Sequence, residues 1–289
     1  MTNLAIIKNK FVFLTFSGIL VIASVIAIWQ FGLTPGIDFS GGVSWQLKFA
    51  SVPDRAELQS FFPDGLITPQ DDGDVMIRLK DITEKEKGEK LAELSKRFGA
   101  VEELQFKNIG PAVGNDLKNK AIWAFVLVLI TISLYVAFAF RKVSQPVSSW
   151  KYGAITLVTL FHDALIPAGL FAVLGHLFNA EADTNFIVAI LVVIGFSVHD
   201  KIVVFDRIRE NLKIDGGARA DFNQLVNKSV NQTLARSVNT SLTLVLTLLA
   251  LYFLGPANLQ YFILTILVGT VVGTYASIFV ASPLLTLWK

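Results

Sequence analysis

Six apolar segments, each long enough to cross a lipid bilayer as a helix, dominate this sequence of 289 residues. A membrane-spanning helix needs about 20 mostly apolar residues to cross about 30 Å of hydrocarbon. The composition agrees, since 53% of the residues are hydrophobic and only 17% are charged, which excludes an ordinary soluble domain and a disordered chain. We therefore predict an α-helical membrane protein with spans at 11–31, 121–140, 152–177, 186–205, 237–254 and 261–285.

The charged residues are concentrated between the first two spans. Of the 48 Asp, Glu, Lys and Arg residues, 27 lie between Gly32 and Lys120. This distribution predicts a polar module inserted into a membrane protein. The predicted parts are residues 1–31 with the N-terminus and the first span, the module at 32–118, and residues 119–289 with spans two to six and a loop at 206–233.

Lys and Arg residues in the short connections indicate the orientation, because positive residues near span ends stay on the cytoplasmic side. The third and fifth connections contain no Lys or Arg, so both termini are predicted to be cytoplasmic and the module to lie outside. The first span is longer than the core of a secretory signal, and we interpret it as an uncleaved anchor. The positive residues are Arg141, Lys142 and Lys151 in the second connection and Arg207, Arg209, Lys213, Arg219 and Lys228 in the fourth.

The polar module has the pattern of a small folded domain. Apolar and polar residues alternate over 43–49, as in a half-buried strand. Asp54 is a candidate cap for one helix, Thr83 and Glu86 have the spacing of a capping box for a second, and residues 71–74 predict a turn. The order strand, helix, strand, strand, helix, strand predicts a ferredoxin-like α+β domain between the first two spans. We expect it to bind protein or transmit motion.

Ionisable side chains inside the spans are the main functional candidates. Each costs about 2.5 to 3.5 kcal/mol at mid-bilayer and therefore needs a partner, a water path or a role. Asp200 in the fourth span and Arg236 at the start of the fifth lie on neighbouring antiparallel helices, so we expect them to form an ion pair. A buried Asp whose partner moves away can take up a proton, which would link protonation to shape. The alternative is an ion pair that only stabilises the bundle.

Three further residues in the third and fourth spans, His162, Asp163 and His199, are weaker candidates for the proton or ion pathway. His162 and Asp163 point about 100° apart on one helix and cannot share one partner, which ranks Asp163 below Asp200. His199 shares a helix face with Asp206. Lys201 is long enough to reach water, and we expect it to be solvated.

Residues missing from the sequence exclude several kinds of chemistry. The chain has no Cys, which excludes disulfides, Cys-bound metals and thiol catalysis. A GxxxxGK[ST] loop for ATP is absent, and Gly216 and Gly217 predict only a flexible turn. An intramembrane aspartyl protease would have two Asp sharing a proton, but its GxGD context is also missing. We expect no enzyme activity, no metal site and no nucleic-acid partner.

Short motifs along nearly the whole chain carry a likeness to a known family. The segment 195–211, GFSVHDKIVVFDRIREN, is the most specific of them, and residues 110–114 and 231–237 add to it. Together these motifs resemble the SecF family of protein-export membrane subunits, which belongs to the RND superfamily. The motif residues include Gly36, Asp38, Gly41 and Gly42 after the first span and Gly195, Asp206 and Arg207 in and after the fourth.

The resemblance implies an RND-type half of six helices that works with a SecD-like subunit beside the SecYEG channel. It implies that proton or sodium motive force, without any other cofactor, helps to draw a translocating polypeptide across the membrane. In the family, an Asp in the fourth span and an Arg in the fifth are associated with proton passage, and these correspond to Asp200 and Arg236. Further implied partners are YajC, YidC and membrane lipid, and the implied location is the bacterial or archaeal cell (inner) membrane.

Two residues depart from the family pattern, in which Asn precedes the Asp of the fourth span and Thr follows it. Here His199 and Lys201 take these positions. An unperturbed histidine changes charge near neutral pH, so a histidine at this position could join a proton relay, whereas Lys201 could compete with Arg236 for Asp200. The coupling ion therefore stays open. The alternative functions are an RND-like exporter half for small molecules or lipids and a structural scaffold of a membrane complex.

Overall fold

Two compact units make up the chain in the computed structural model, which describes residues 4–51, 53–69, 74–141, 147–214 and 221–288. The helical unit contains Met1–Thr34 and Trp123–Lys289, and the sheet unit contains Pro35–Ile122. The helices and strands are α1 (Lys10–Phe31), α2 (Ile37–Ser40), β1 (Gly42–Phe49), α3 (Arg55–Phe61), β2 (Leu66–Pro69), β3 (Asp74–Leu79), α4 (Glu84–Phe98), β4 (Val101–Ile109), α5 (Pro111–Ala139), α6 (Ser149–Phe178), α7 (Thr184–Ile214), α8 (Phe222–Leu254), α9 (Gln260–Ala276) and α10 (Ser282–Leu287).

Within the described residues, six helices are long and apolar enough to cross a membrane, which confirms the predicted number of spans. Five of them are α1, α5, α6, α7 and α8. The sixth runs from Gln260 to Leu287, and in it a π-helical turn at Ser277–Ala281 joins α9 to α10. The Ser282 hydroxyl donates to the carbonyl oxygen of Ser277 at 3.1 Å, across the widened turn.

Helices α7 and α8 are longer than the sequence predicts. The predicted loop at 206–233 is helical up to Ile214 and again from Phe222, and the predicted turn at Gly216 and Gly217 lies outside the described residues. The extensions are helical because they bury apolar side chains in the core of the helical unit, where each contributes roughly 1.5 to 3 kcal/mol. The buried apolar residues of the two extensions are Ile208, Leu212, Phe222, Leu225, Val226 and Val230.

Two glycines bring α9 very close to α7. A Cβ atom on Gly269 would lie 2.2 Å from a methyl carbon of Val193, and one on Gly273 would lie 2.8 Å from the Ser197 hydroxyl oxygen. Small residues four apart let two apolar helices approach until their backbones nearly touch. The side chains beside these glycines on α9 are therefore held against α7.

The N-terminal segment is fastened to α8 by two asparagines. The Asn231 side chain accepts from the backbone N–H of Leu4 at 2.8 Å and donates to its carbonyl oxygen at 2.9 Å. The Asn227 side chain accepts from the backbone N–H of Ile7 at 3.1 Å. Ile6 and Ile7 are buried in the core of the helical unit, so this segment is an integral part of it.

The sheet unit contains a four-stranded antiparallel sheet in the order β2-β3-β1-β4. Val43, Trp45, Leu47 and Phe49 alternate into the core, which confirms the strand predicted at 43–49. The chain visits strand, helix, strand, strand, helix and strand between α2 and α5, as predicted. Most of the turn expected at 71–74 lies outside the described residues.

Both predicted helix caps in the sheet unit are confirmed. The Asp54 side chain accepts from the backbone N–H of Ala56 at the start of α3. At the start of α4, Thr83 and Glu86 form the capping box, in which the Glu86 carboxylate accepts from the Thr83 backbone N–H at 2.9 Å. These hydrogen bonds from Thr83, chiefly the one from its backbone, stabilise the carboxylate and hold the pKa of Glu86 below its ordinary value.

Candidate functional site

Helix α7 carries two buried polar clusters on different faces. Asp200 and Lys201 are consecutive, so their side chains leave the helix about 100° apart. Lys201 meets α6, whereas Asp200 meets α8 and α9. We call the first group, His162, Asp163, Ser197 and Lys201, the α6 cluster, and the second group, Asp200, Ser241 and Thr274, the α9 cluster.

The α6 cluster is centred on Asp163. One oxygen, Oδ1, lies 2.8 Å from Nδ1 of His162. The other, Oδ2, accepts from Nζ of Lys201 at 2.5 Å and from the Ser197 hydroxyl. Nζ of Lys201 also lies 2.5 Å from the Ser197 hydroxyl oxygen, one helical turn away. Both oxygens of the carboxylate are therefore occupied.

This ion pair corrects one prediction. We expected Lys201 to be solvated, but its side chain is 0% exposed. Asp163 also has His162 as a direct partner on the same helix. Two charges removed from water are tolerated only when paired and hydrogen-bonded, and Lys201 and Asp163 meet both conditions.

The α9 cluster is less complete. The Asp200 carboxyl group is 2% exposed and interacts with the hydroxyl groups of Thr274 and Ser241, whose oxygens lie 2.5 Å apart. Its oxygen Oδ2 has no hydrogen-bond partner among the described residues. The same holds for the hydroxyls of Ser237 and Thr270, which precede Ser241 and Thr274 by one turn. This carboxylate therefore keeps a lone-pair site that a proton, a water molecule or a small cation can occupy.

The ion pair predicted between Asp200 and Arg236 is not formed. Arg236 is exposed, and no ion pair joins it to Asp200 in the part of the chain that the structure describes. The reason is rotational, because Ser237 and Ser241 occupy the buried face of α8 and Arg236 lies about 100° away from Ser237.

Arg236 instead lines a cleft between α7 and α8. The cleft has a volume of about 240 Å³ and contains charges of both signs. Arg207, one of its residues, donates to Glu210 at 2.6 Å and to the side chain of Gln232 at 2.7 Å. Asp206, another, forms an ion pair with Arg209. The residues lining the cleft are Val203, Asp206, Arg207, Glu210, Gln232, Thr233 and Arg236.

The remaining site residues from the sequence lie apart from both clusters. His199 is exposed, and Gly195, one turn before it, has open space around it. In the sheet unit, Asp38 is buried and accepts from Nζ of Lys107 at 2.6 Å.

The glycines of the motif after the first span have a steric role in the sheet unit. Gly41 and Gly42 have φ angles of 75° and 122°, which favour glycine. A Cβ atom on Gly41 would lie 2.9 Å from Cα of Pro111. Gly36, which is the N-cap of α2, accepts from the Ser40 hydroxyl at 3.0 Å. These motif residues close the junction between the sheet and the start of α5.

Sequence reasoning missed the hydroxyl groups of both clusters. Ser197 lies four residues before Lys201, and Ser237 and Ser241, like Thr270 and Thr274, are also four apart. Hydroxyls repeated every four residues in an apolar helix mark a polar stripe that faces other helices. That spacing was the available signal. No group of three or more His, Asp or Glu residues able to hold a metal ion occurs in the described ranges.

A membrane protein with six apolar helices, buried carboxyl groups and a separate sheet unit is the class that this fold and site define. Residues 89–289 match the family described as "Protein export membrane protein SecD/SecF, C-terminal". The chain belongs to this SecD/SecF family, and its full-length relatives place it with the SecF subunits.

Two relatives illustrate the likeness over the whole length. The protein translocase subunit SecF of Thermobaculum terrenum is 44% identical and matches 98% of this chain and 93% of its own. The SecF subunit of Anaerolinea thermophila is 35% identical, with 99% and 94% covered.

A solved structure shows the same fold within a longer chain. The crystal structure of SecDF from Thermus thermophilus, a translocon-associated membrane protein, is similar with a TM-score of 0.85 and 33% identity. The match covers 98% of this chain and 38% of the SecDF chain, so this chain spans less than half of that protein. The chain with the present sequence is thus a multi-pass membrane protein of the SecF type.

Proposed function

We propose that this chain is the SecF-like half of a SecDF-type complex that uses a proton or sodium gradient to assist protein translocation through the Sec channel. The observation that carries the proposal is the Asp200 carboxyl group, buried between α7, α8 and α9 with one oxygen unpartnered. A buried carboxylate with a free lone pair is suited to bind and release a proton or a small cation. The gradient would be the energy source, and we expect no other cofactor and no enzyme activity.

Protonation of Asp200 changes the hydrogen bonds that the neighbouring hydroxyl groups can make with it. As a carboxylate the group only accepts hydrogen bonds, and the hydroxyls of Ser241 and Thr274 can both donate to it. Once protonated, it has a donor of its own and no charge to hold them. Because these hydroxyls belong to α8 and α9, proton exchange biases how the two helices sit against α7. A membrane potential supplies about 2.3 kcal/mol per elementary charge for each 100 mV.

A second membrane subunit is the proposed partner. The Thermus thermophilus relative is a SecDF protein, in which the matched region is 35% of a longer chain. Helix α8 leaves Arg236 and Asn239 exposed along a predominantly apolar span. Polar side chains of this kind are unfavourable against lipid, which supports a covering partner such as a SecD-like subunit. We extend the proposal to SecYEG, the translocating polypeptide, YajC and YidC.

The proposal also includes the membrane orientation, a ferredoxin-like fold for the sheet unit and an RND-type arrangement for the six helices. Arg141, Lys151 and the basic residues of α7 support cytoplasmic termini in the cell membrane by the positive-inside rule. The strand order β2-β3-β1-β4 with all neighbours antiparallel supports a ferredoxin-like assignment of the sheet unit. Six helices support one RND-type half. The sheet unit would then contact the emerging polypeptide.

Replacing Asp200 by Asn tests the proposal. Membrane vesicles would contain SecYEG, the SecD-like subunit and this chain, and the measured quantity is the fraction of a precursor translocated with and without an imposed proton or sodium gradient. We expect Asp200→Asn to abolish the part that depends on the gradient while insertion and partner binding persist. The matched control is Asp116→Asn, because Asp116 forms only an exposed pair with Lys120. Full gradient-dependent translocation by Asp200→Asn would contradict the proposal.

A further inference from the structure

We propose that the ion released by Asp200 leaves toward the cytoplasmic side through the cleft between α7 and α8, and that the Ser237 hydroxyl relays it across the buried step between the two. The inference rests on the proposed function, since it takes Asp200 as the group that binds the ion and the cleft end of both helices as cytoplasmic. It assigns a role to the cleft and to a buried hydroxyl that the proposed function does not use.

Helix α7 places Asp200 and the cleft on one face. Val203, Arg207 and Glu210 line the cleft, and together with Asp200 they are spaced three, four and three residues apart. This is the spacing of residues that share one side of an α-helix. Val203 follows Asp200 by about 4.5 Å along the helix axis. The carboxyl group therefore lies about one helical turn behind the inner end of the cleft.

Helix α8 provides a row of buried hydroxyl groups over the same interval. Thr233 lines the cleft, Ser237 follows four residues later, and Ser241 of the α9 cluster follows after four more. Each step along this row rises about 6 Å, which two hydrogen bonds through one water molecule can span. The row therefore joins the surroundings of Asp200 to the cleft in two steps.

Ser237 is the member of the row whose hydroxyl is not engaged. The Thr233 hydroxyl donates to the carbonyl oxygens of Ser229 at 3.2 Å and Val230 at 3.1 Å. The Ser241 hydroxyl donates to the carbonyl oxygen of Ser237 at 2.8 Å. Ser237 is 1% exposed, and its own hydroxyl has no hydrogen-bond partner among the described residues.

A partnerless hydroxyl in this position points to a passing ligand. Buried hydroxyls are usually hydrogen-bonded, and one that merely sits in an apolar helix bonds to its own backbone, as those of Thr233 and Ser241 do. A hydroxyl can accept and donate at the same time. Ser237 is therefore suited to hold a water molecule or a small cation on its way between Asp200 and the cleft.

The cleft is suited to receive a cation. Its volume of about 240 Å³ has room for several water molecules, and exposed residues at its edge, including Asp206 and Glu210, open it to the exterior. These two carboxylates balance the two arginines that line it. In the case of a proton, Asp200 passes it to a water molecule hydrogen-bonded to Ser237 and returns to the carboxylate form, and water in the cleft takes up the excess proton.

Two variants of equal shape test the role of the Ser237 hydroxyl. Threonine and valine differ only in a hydroxyl and a methyl group, so Ser237→Thr keeps the relay and Ser237→Val removes it with the same added volume. The measured quantity is the initial rate of ion flux under an imposed gradient, in vesicles with this chain and the SecD-like subunit, followed by a pH-sensitive dye or radioactive sodium. We expect Ser237→Thr to retain the flux and Ser237→Val to be about tenfold slower, as for the loss of one hydrogen bond.

Thr243→Val is the matched control, because Thr243 lies on the exposed side of α8 and undergoes the same exchange of hydroxyl for methyl. It should leave the flux unchanged. If Ser237→Val does not insert, Thr233→Val decides in its place, since valine has the shape of the native threonine, and a tenfold loss is again expected.

Equal flux in the two Ser237 variants, whether high or low, would overturn the inference. So would wild-type flux in Thr233→Val where that variant decides, or an equal loss in Thr243→Val. A failure of the proposed function is distinguishable, because Asp200→Asn would then retain gradient-dependent translocation. A failure of the relay alone would leave Asp200→Asn inactive and both Ser237 variants equally active.

Discussion

The α6 cluster and the α9 cluster each contain one buried carboxyl group in the same helical bundle, but they differ in whether both of its oxygens have partners. In the α6 cluster both oxygens of Asp163 have partners, including a lysine at 2.5 Å. In the α9 cluster Asp200 is surrounded by neutral hydroxyls and keeps one oxygen unpartnered. Burial is nearly the same for both residues. The difference teaches that pairing, more than burial, separates a carboxylate that is held constant from one that is available to bind an ion.

The largest expected effect comes from breaking the ion pair on one side only. Lys201→Met leaves the charge of Asp163 buried without a counter-ion, and we expect the free energy of unfolding to fall by about 3 to 5 kcal/mol. The measurement is thermal or denaturant unfolding of the purified protein in detergent. Asp163→Asn/Lys201→Met should recover most of the loss. Equal stability of the single and double variants would show that Asp163 does not need its partner.

A smaller loss of stability is expected at the close contact of α9 with α7 between the two clusters. Gly273 precedes Thr274 and faces Ser197, so it touches one member of the α6 cluster and adjoins one of the α9 cluster. The added methyl group of Gly273→Ala would overpack this contact and lower the free energy of unfolding by about 1 to 3 kcal/mol.

The control for this change is Gly195→Ala on α7. A Cβ atom there meets nothing within 4 Å, and alanine is favoured over glycine inside a helix by about 0.5 to 1 kcal/mol. We therefore expect Gly195→Ala to unfold at the same temperature or slightly above the wild type. A Gly273→Ala protein as stable as the Gly195→Ala protein would mean that α7 and α9 can shift to accommodate the added methyl group.

The smallest loss of stability is expected at Glu86, an exposed carboxylate that serves as the reference for the buried Asp163 and Asp200. The pKa of Glu86 is lowered by its hydrogen bonds to Thr83 in the folded state. Its contribution to stability is therefore present above the ordinary pKa of Glu and is lost as the pH falls through the lowered value. Glu86→Gln should reduce stability at neutral pH, and its difference from the wild type should shrink toward pH 3.

Unfolding of both proteins by denaturant between pH 7 and pH 3 measures this effect, with Glu84→Gln as the control in the same helical turn. A constant difference between Glu86→Gln and the wild type over that range would refute the contribution of the ionised capping box.

The sequence was sufficient for the six spans and for the caps of α3 and α4, because these depend on local composition and spacing. It was not sufficient for the partners of Asp200, since a rotation of one residue on α8 exchanges Arg236 for Ser237. Opposite charges on neighbouring helices suggested a pair, but next to Arg236 the buried face of α8 presents the hydroxyls of Ser237 and Ser241.

Lys201 was misjudged for a related reason. A lysine in a span is expected to reach water when no anion is nearby, and nothing local in the sequence placed Asp163 of another helix within 2.5 Å. The height of Asp163 in its span could be derived, but not the direction in which it points. Such contacts depend on how each helix is turned about its own axis, which packing of the whole bundle determines.

The π-helical turn at Ser277–Ala281 determines the direction in which the side chains of the last helical turns point. It inserts one extra residue into the helical repeat, so every side chain after it is offset by about 100° from an uninterrupted α-helix. With that offset, Ser282 and Leu285 point into the bundle. The interior of the C-terminal end is thus lined by side chains that a regular α-helix would have pointed about 100° away.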